Sequence, residues 1–198
     1  MKYKIRQMEI LLASNNINKY KELLKIFKEC GSKHTLIKNK DIPDVIEDKN
    51  TIKENARKKA EECFRNFKIP VLSDDSGLFV EILDGKPGVL SKRYAGDNAT
   101  DSENIQKLIN ELKPFDNLNA FFRTVLCYFD GSNFIFSDGV LNGQILLHPR
   151  GNNGFGYDPI FDVNGTTLAE MTLEEKSNIS HRKTAAVKLV GKLNDYKV

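Results

Sequence analysis

The sequence predicts one α/β fold, a mixed central sheet flanked by helices, and three observations carry that expectation. Short apolar runs alternate with helical patterns as far as Leu83, the signature of strand–helix units. Ala120 to Leu147 then offers successive strand candidates, turning at Asp130-Gly131. Finally Ala185, Ala186, Leu189, Val190 and Leu193 recur at helical spacing and close the chain. The 198 residues suffice for a single domain over 1–198, or for one pinched into two lobes, and no repeat or clear linker divides them.

Taken in order, Glu9 to Ser14 reads as a buried strand, Asn15 to Asn18 as a polar loop, and Lys19 as the opening of a helix carrying Leu23, Leu24 and Phe27. A loop running from a buried strand into a helix N-terminus suits an anion, because backbone N–H groups and the helix field both favour negative charge there. A loose connection from Lys38 to Pro43 leads to Val45-Ile46 and the acids Glu47 and Asp48. Thr51 and Glu54 can cap a second helix. Its expected buried face is Ile52, Ala56, Ala60, Cys63 and Phe64, with Asn55 and Lys59 on an adjoining stripe. Val71-Leu72 is a short strand expected to end in Ser73-Asp74-Asp75-Ser76-Gly77, and Leu78 to Leu83 another. Thr100 to Glu103 precedes a helix with Ile105, Leu108, Ile109 and Leu112. Strand candidates follow at Ala120–Phe129, Phe134–Phe136 and Val140–Leu147, then a glycine-rich loop from His148 to Tyr157. Thr172 to Glu175 is a capping-box pattern.

Composition narrows the class. With 40% hydrophobic and 29% charged residues the chain reads as globular rather than disordered. The start, Met1 to Arg6, is basic, but the apolar run Ile10 to Ala13 is too short to span a bilayer, so a cytoplasmic protein without a membrane partner is expected. A net charge of +3 without a basic tail argues against a nucleic-acid partner. Cys30, Cys63 and Cys127 are widely spaced and read as reduced thiols.

The chemistry centres on the acid pair. Lys19 and Lys59 can neutralise phosphate oxygens, while Glu47, Asp74 and Asp75 can hold a hard cation with waters completing its shell. Asp74 is the favoured metal ligand and Asp75 the base that orients water, since adjacent side chains leave an extended backbone in opposite directions. Ser76 offers hydroxyl or backbone contacts, and Gly77 matters for backbone shape. Phe155 can stack on a base, and His181 and Arg182 can donate to a base carbonyl. Lys176 either lines a nucleotide cleft or balances Glu174 and Glu175, and Arg93 either supports a phosphate or sits at an exposed edge.

These stretches together resemble the inosine triphosphate pyrophosphatase family, the HAM-type purine nucleotide pyrophosphatases. Six motifs stand in the family's order: Ala13 to Lys19, Glu54 to Ala60, Ser73 to Leu78, Pro87 to Gly96, Gly154 to Pro159, and Ser180-His181-Arg182. The resemblance implies an elongated two-lobed α/β fold with an active-site cleft between lobes, usually as a homodimer. It implies hydrolysis of ITP, dITP and XTP to the monophosphate and pyrophosphate with Mg2+, Mn2+ being a substitute. Broader nucleotide pyrophosphatase activity and non-catalytic nucleotide binding are the competing expectations. By the same resemblance Asp75, Lys19 and Lys59 are catalytic, and Glu47 and Asp74 associate with metal. Substrate binding falls to Ser14, Asn15, Asn16, Lys19, Lys59, Ser76, Gly77, Phe155, Gly156, Tyr157, Asp158, Lys176, His181 and Arg182. Lys183 stands where many relatives have glycine, and Asp48-Lys49-Asn50 replaces a commoner stretch after Glu47.

Overall fold

Glu9–Leu12 forms β1, the strand that organises the first half of the sheet. The computed structural model describes residues 7–39 and 41–196; the basic start Met1 to Arg6 lies outside the described residues, as does position 40 of the expected loose connection. After β1 come α1 (Ile17–Glu29), β2 (Thr35–Ile37), α2 (Ile52–Phe67) and β3 (Val71–Val80). The chain continues through α3 (Asp101–Leu112), β4 (Asn119–Phe129), β5 (Phe134–Ile145), β6 (Phe161–Val163) and β7 (Thr166–Thr167) to α4 (Leu173–Ile179) and α5 (His181–Asp195). The strands order as β2-β1-β3-β4-β5-β6-β7. Ile10 pairs with Leu36 and Leu12 with Leu72 in parallel register, whereas Ile145 pairs with Phe161 antiparallel. The sheet is therefore mixed, as the sequence predicts.

The backbone divides into two compact units. The first comprises residues 1–75, 124–139 and 182–198, and the second 76–123 and 140–181. In the first, Ile10, Leu12 and Leu72 of the sheet pack with Leu23 and Phe27 of α1 and Leu189 and Leu193 of α5. The second centres on Leu78, Leu108, Leu112, Ile145, Ile160 and Phe161. Each such fully buried aliphatic side chain contributes about 1.5–3 kcal/mol relative to exposure.

Helix starts follow side-chain chemistry. Asn16 Oδ1 accepts the N–H groups of Asn18 (2.9 Å) and Lys19 (3.2 Å), so α1 opens at Ile17 rather than at Lys19. Thr51 caps α2 through the Glu54 N–H, and Thr100/Glu103 and Thr172/Glu175 form complete capping boxes.

Three expectations need correcting. β3 does not end at the acids; it runs unbroken from Val71 to Val80, with Leu83 instead closing a 3-10 turn. A strand can carry two buried carboxylates when cations meet them, and here they do. β5 is one strand through Gly139 rather than two. On α2 the buried face includes Asn55 and Lys59, whereas Phe64 is half-buried with its ring 5.1 Å from that of Phe129.

Candidate active site

Within the first unit, four carboxylates share three cations. Asp74 has a fully buried carboxylate: Lys19 Nζ donates to Oδ1 at 2.5 Å and Arg182 Nε to Oδ2 at 2.7 Å. Arg182 Nη1 also donates to Glu22 at 2.7 Å. Lys19 and Glu22 lie three residues apart on α1 and so share a face; Arg182 is the second residue of α5. The neighbouring Asp75 takes a different partner. Lys59 Nζ donates to Asp75 at 2.9 Å, to Glu47 at 2.9 Å and to the Asp74 carbonyl at 2.7 Å.

The electrostatics separate the two acids. Burial alone would raise the Asp74 pKa, but Arg182 and then Lys19 outweigh it and hold the carboxyl far below its ordinary range. Burial would likewise weaken the Arg182 charge, yet Asp74 and Glu22 keep its pKa above the usual arginine value. Asp75 goes the other way. Burial raises its pKa, and Lys59 offsets this incompletely because Glu47 competes for the same ammonium and repels the second charge. Lys59 itself is pushed down by burial but lifted further by Asp75 and Glu47, so its ammonium is firmly held. The pair thus comprises a locked carboxylate and a more basic one.

The loop before α1 is ordered by its own side chains. Ser14 Oγ accepts the Asn16 N–H at 3.2 Å, and Asn15 Nδ2 donates to the Ile42 carbonyl at 3.2 Å. At this helix N-terminus, expected to suit an anion, the N–H groups of Asn18 and Lys19 are taken by Asn16.

The second unit gathers the remaining candidates. Asp158, buried, accepts the Phe155 N–H at 2.8 Å and pairs with Lys176, whose ammonium lies 4.9 Å from the centroid of the exposed Phe155 ring. Gly154 makes this possible: a Cβ there would lie 2.0 Å from the Asp158 carboxylate, and its φ is +81°. Gly156 donates to Asp101 at 2.7 Å. Tyr157 is buried, with its phenol donating to the Ser91 carbonyl at 2.9 Å, and burial raises its pKa. Ser76 is half-buried on β3. Gly77 meets the turn at Gly88–Arg93 closely, since a Cβ on it would lie 2.4 Å from the Gly88 carbonyl oxygen. The His181 ring stacks on Phe122 at 5.1 Å.

The structure brings Lys19, Glu47, Lys59, Asp74, Asp75 and Arg182 together in the first unit, and Phe155, Asp158 and Lys176 in the second. Arg182, expected to donate to a base carbonyl, is placed on Asp74 and Glu22. Sequence reasoning missed Glu22, whose spacing from Lys19 was the available signal, and the Ser91–Tyr157 bond, which had none.

Among the described residues no group of three histidine, cysteine or acidic side chains is gathered as a metal cluster. The donor chemistry nevertheless suits a hard divalent ion: Asp74 stays ionised between Lys19 and Arg182, and Glu47 already meets a cationic centre, the Lys59 ammonium, through a carboxylate oxygen. One or two carboxylates with water and phosphate oxygens suffice for magnesium.

The chain is 45% identical over 190 residues to the dITP/XTP pyrophosphatase of Caldanaerobacter subterraneus subsp. tengcongensis, covering 92% of this chain and 94% of that one. It is 46% identical over 182 residues to the dITP/XTP pyrophosphatase of Geobacter sulfurreducens, covering 87% and 90%. The solved structure of a HAM1 protein from Coxiella burnetii matches with a TM-score of 0.88 at 38% identity, over 96% of this chain and all of that one. The Staphylococcus aureus Ham1 structure matches at 0.85 and 37% identity, over 96% of this chain and all of that one. The Ham1 family model covers residues 10–192, and with that span this chain belongs to the Ham1 family.

Proposed function

We propose that the protein hydrolyses deaminated purine nucleoside triphosphates, dITP, XTP and ITP, to the monophosphate and pyrophosphate. The observation that carries this reading is the sharing of Lys59 between Asp75 and Glu47, beside a separately locked Asp74. Phosphate oxygens compete with these carboxylates for Lys19 and Lys59. An incoming triphosphate therefore draws the ammonium groups toward itself and leaves Asp75 to a water molecule. Asp75, the more basic acid, accepts that water's proton as oxygen bonds to the α-phosphorus. The bond from the α-phosphorus to the bridging oxygen breaks, and pyrophosphate leaves with the electron pair. Lys19 and Lys59 offset the charge that develops on the phosphate oxygens.

Mg2+, with Mn2+ as a substitute, is the proposed cofactor; held by Glu47 and Asp74 with Asp75 adjacent, it would polarise a phosphoryl oxygen. Arg182 keeps Asp74 ionised and oriented for that role.

Base choice is assigned to the second unit. Phe155 presents an exposed ring on which a purine can stack, a contact of about 1–3 kcal/mol. The Lys176 ammonium above that ring is a donor for a six-position carbonyl. Adenine presents an amino group there, so donor would face donor, at a penalty of about 1–3 kcal/mol. The proposed setting is the cytoplasmic nucleotide pool, with the protein acting as a homodimer.

The test is a time-resolved product assay on ITP, dITP, XTP, GTP, ATP and dUTP, with and without magnesium. Pyrophosphate release confined to ITP, dITP and XTP and dependent on magnesium is expected. Comparable turnover of dUTP or ATP would replace this with a broader pyrophosphatase, and tight binding without pyrophosphate release with a nucleotide sensor. Sedimentation of the purified protein checks the dimer.

A further inference from the structure

The segment carrying Glu47 has no regular secondary structure, yet α2 grips it at successive points. Lys58 Nζ donates to the Ile46 carbonyl at 2.9 Å and to Asp48 at 3.0 Å. Lys59 Nζ holds Glu47 itself. One turn earlier on the helix, Asn55 Oδ1 accepts the Lys49 N–H at 2.9 Å. The Lys58 contacts lie in or near solvent, where an ammonium group exchanges partners readily, and its long side chain has many rotamers. Asn55 differs. It is fully buried, with a short side chain on a rigid helix, and its bond is to backbone.

A second observation sets Asn55 apart. Its Nδ2 is buried and has no hydrogen-bond partner among the described residues. An orphaned buried donor costs stability, and an apolar residue of similar size would avoid that cost. The side chain's return is its single bond to the Lys49 N–H, two residues beyond Glu47.

We propose that Asn55 is a positioning residue for Glu47: its amide oxygen pins the backbone after Glu47, so the carboxylate is held where Lys59 and a divalent cation can share it. This rests on the catalytic reading above. The helix that presents Lys59 thereby also sets the distance of the carboxylate that Lys59 must release. Groups that orient a metal-associated acid from behind typically matter by about 10- to 100-fold in metal affinity or activity when removed.

Three variants test it, each assayed for pyrophosphate release from dITP and for the magnesium concentration giving half-maximal rate, and those that keep the Lys49 amide also for its hydrogen exchange without metal. Asn55→Ala should remove protection of that amide, raise the magnesium requirement about 10-fold or more, and lower kcat more than it raises KM for dITP. Lys49→Pro deletes the same bond from its donor side, leaves the helix intact, and should raise the magnesium requirement likewise. In a Glu47→Gln background Asn55→Ala should add nothing further, because the residue acts through Glu47. Lost amide protection with unchanged magnesium requirement would overturn the proposal, as would fully additive losses in the double variant. If the unmutated protein releases no pyrophosphate from dITP, the catalytic reading fails instead, while hydrogen exchange still reports the Asn55–Lys49 bond.

Discussion

Arg182 Nε lies 2.7 Å from Asp74 Oδ2, both side chains almost wholly buried, and the same guanidinium reaches Glu22 at 2.7 Å. The helix that closes the chain is therefore tied through its second residue to the middle of β3 and to α1. Removing one partner from such a buried pair leaves an uncompensated charge, costing about 3–5 kcal/mol. Arg182→Met is expected to lower unfolding stability by that order, measured by urea denaturation. Asp74→Asn combined with Arg182→Met should recover part of the loss, and Glu22→Gln should cost less than either single change at the pair.

Asp75 and Lys19 should fail in different ways. Asp75→Asn keeps shape and removes the proton acceptor, so kcat should fall about 100- to 10,000-fold while nucleotide affinity is largely retained. Lys19→Ala removes a phosphate partner, and affinity should suffer more than in Asp75→Asn. Steady-state rates with an equilibrium binding assay on dITP separate the two; unchanged turnover in Asp75→Asn would remove it as the base.

Thiol chemistry offers a check on the fold of the first unit. Burial pushes the Cys63 thiol up to about 11 and the Cys127 thiol up to about 12. At pH 8 both stay protonated in the folded protein, and the thiolate is the reactive form. Iodoacetamide should therefore modify Cys30, which is partly exposed, and spare the other two until denaturant is added. Mass spectrometry of native and unfolded samples counts the adducts.

Gly77→Ala tests the close approach in the second unit. The added methyl would meet backbone, the Gly88 carbonyl oxygen, which cannot swing aside as a side chain can. A loss of about 1–3 kcal/mol in urea denaturation is expected. Gly191→Ala, with nothing within 4 Å of the new atom, is the control and should be neutral or better.

Much of the fold is legible in the sequence, and the expectations that fail have a common physical root. The helices announce themselves through caps that depend only on local chemistry: Thr51 with Glu54 and Thr172 with Glu175 both close as the sequence predicts. The acid pair was read as a strand end because isolated carboxylates are poor packing residues. That inference ignores partners distant in the chain, and Arg182 stands 108 positions from Asp74. The short strands β2, β6 and β7 had too few residues for any alternation to register. Arg182 stands out as a candidate through its motif, but its placement on Asp74 is tertiary information. Asn55 was visible only as a neighbour of Lys59 by spacing; its burial and bond to Lys49 required the fold.

The division of the backbone has a consequence for anyone who would cut this molecule. The chain passes from one unit to the other between Asp75 and Ser76, Arg123 and Thr124, Gly139 and Val140, and His181 and Arg182. No contiguous stretch of the gene encodes either unit. A fragment library screened for autonomously folding pieces should yield none of the half that carries Asp74 and Asp75, because residues 1–75 lack Arg182 and the β4–β5 hairpin that complete it. Insertions and new termini belong elsewhere, in surface turns such as the one at Asp130–Asn133, where the sequence can be interrupted without severing a strand shared by both halves.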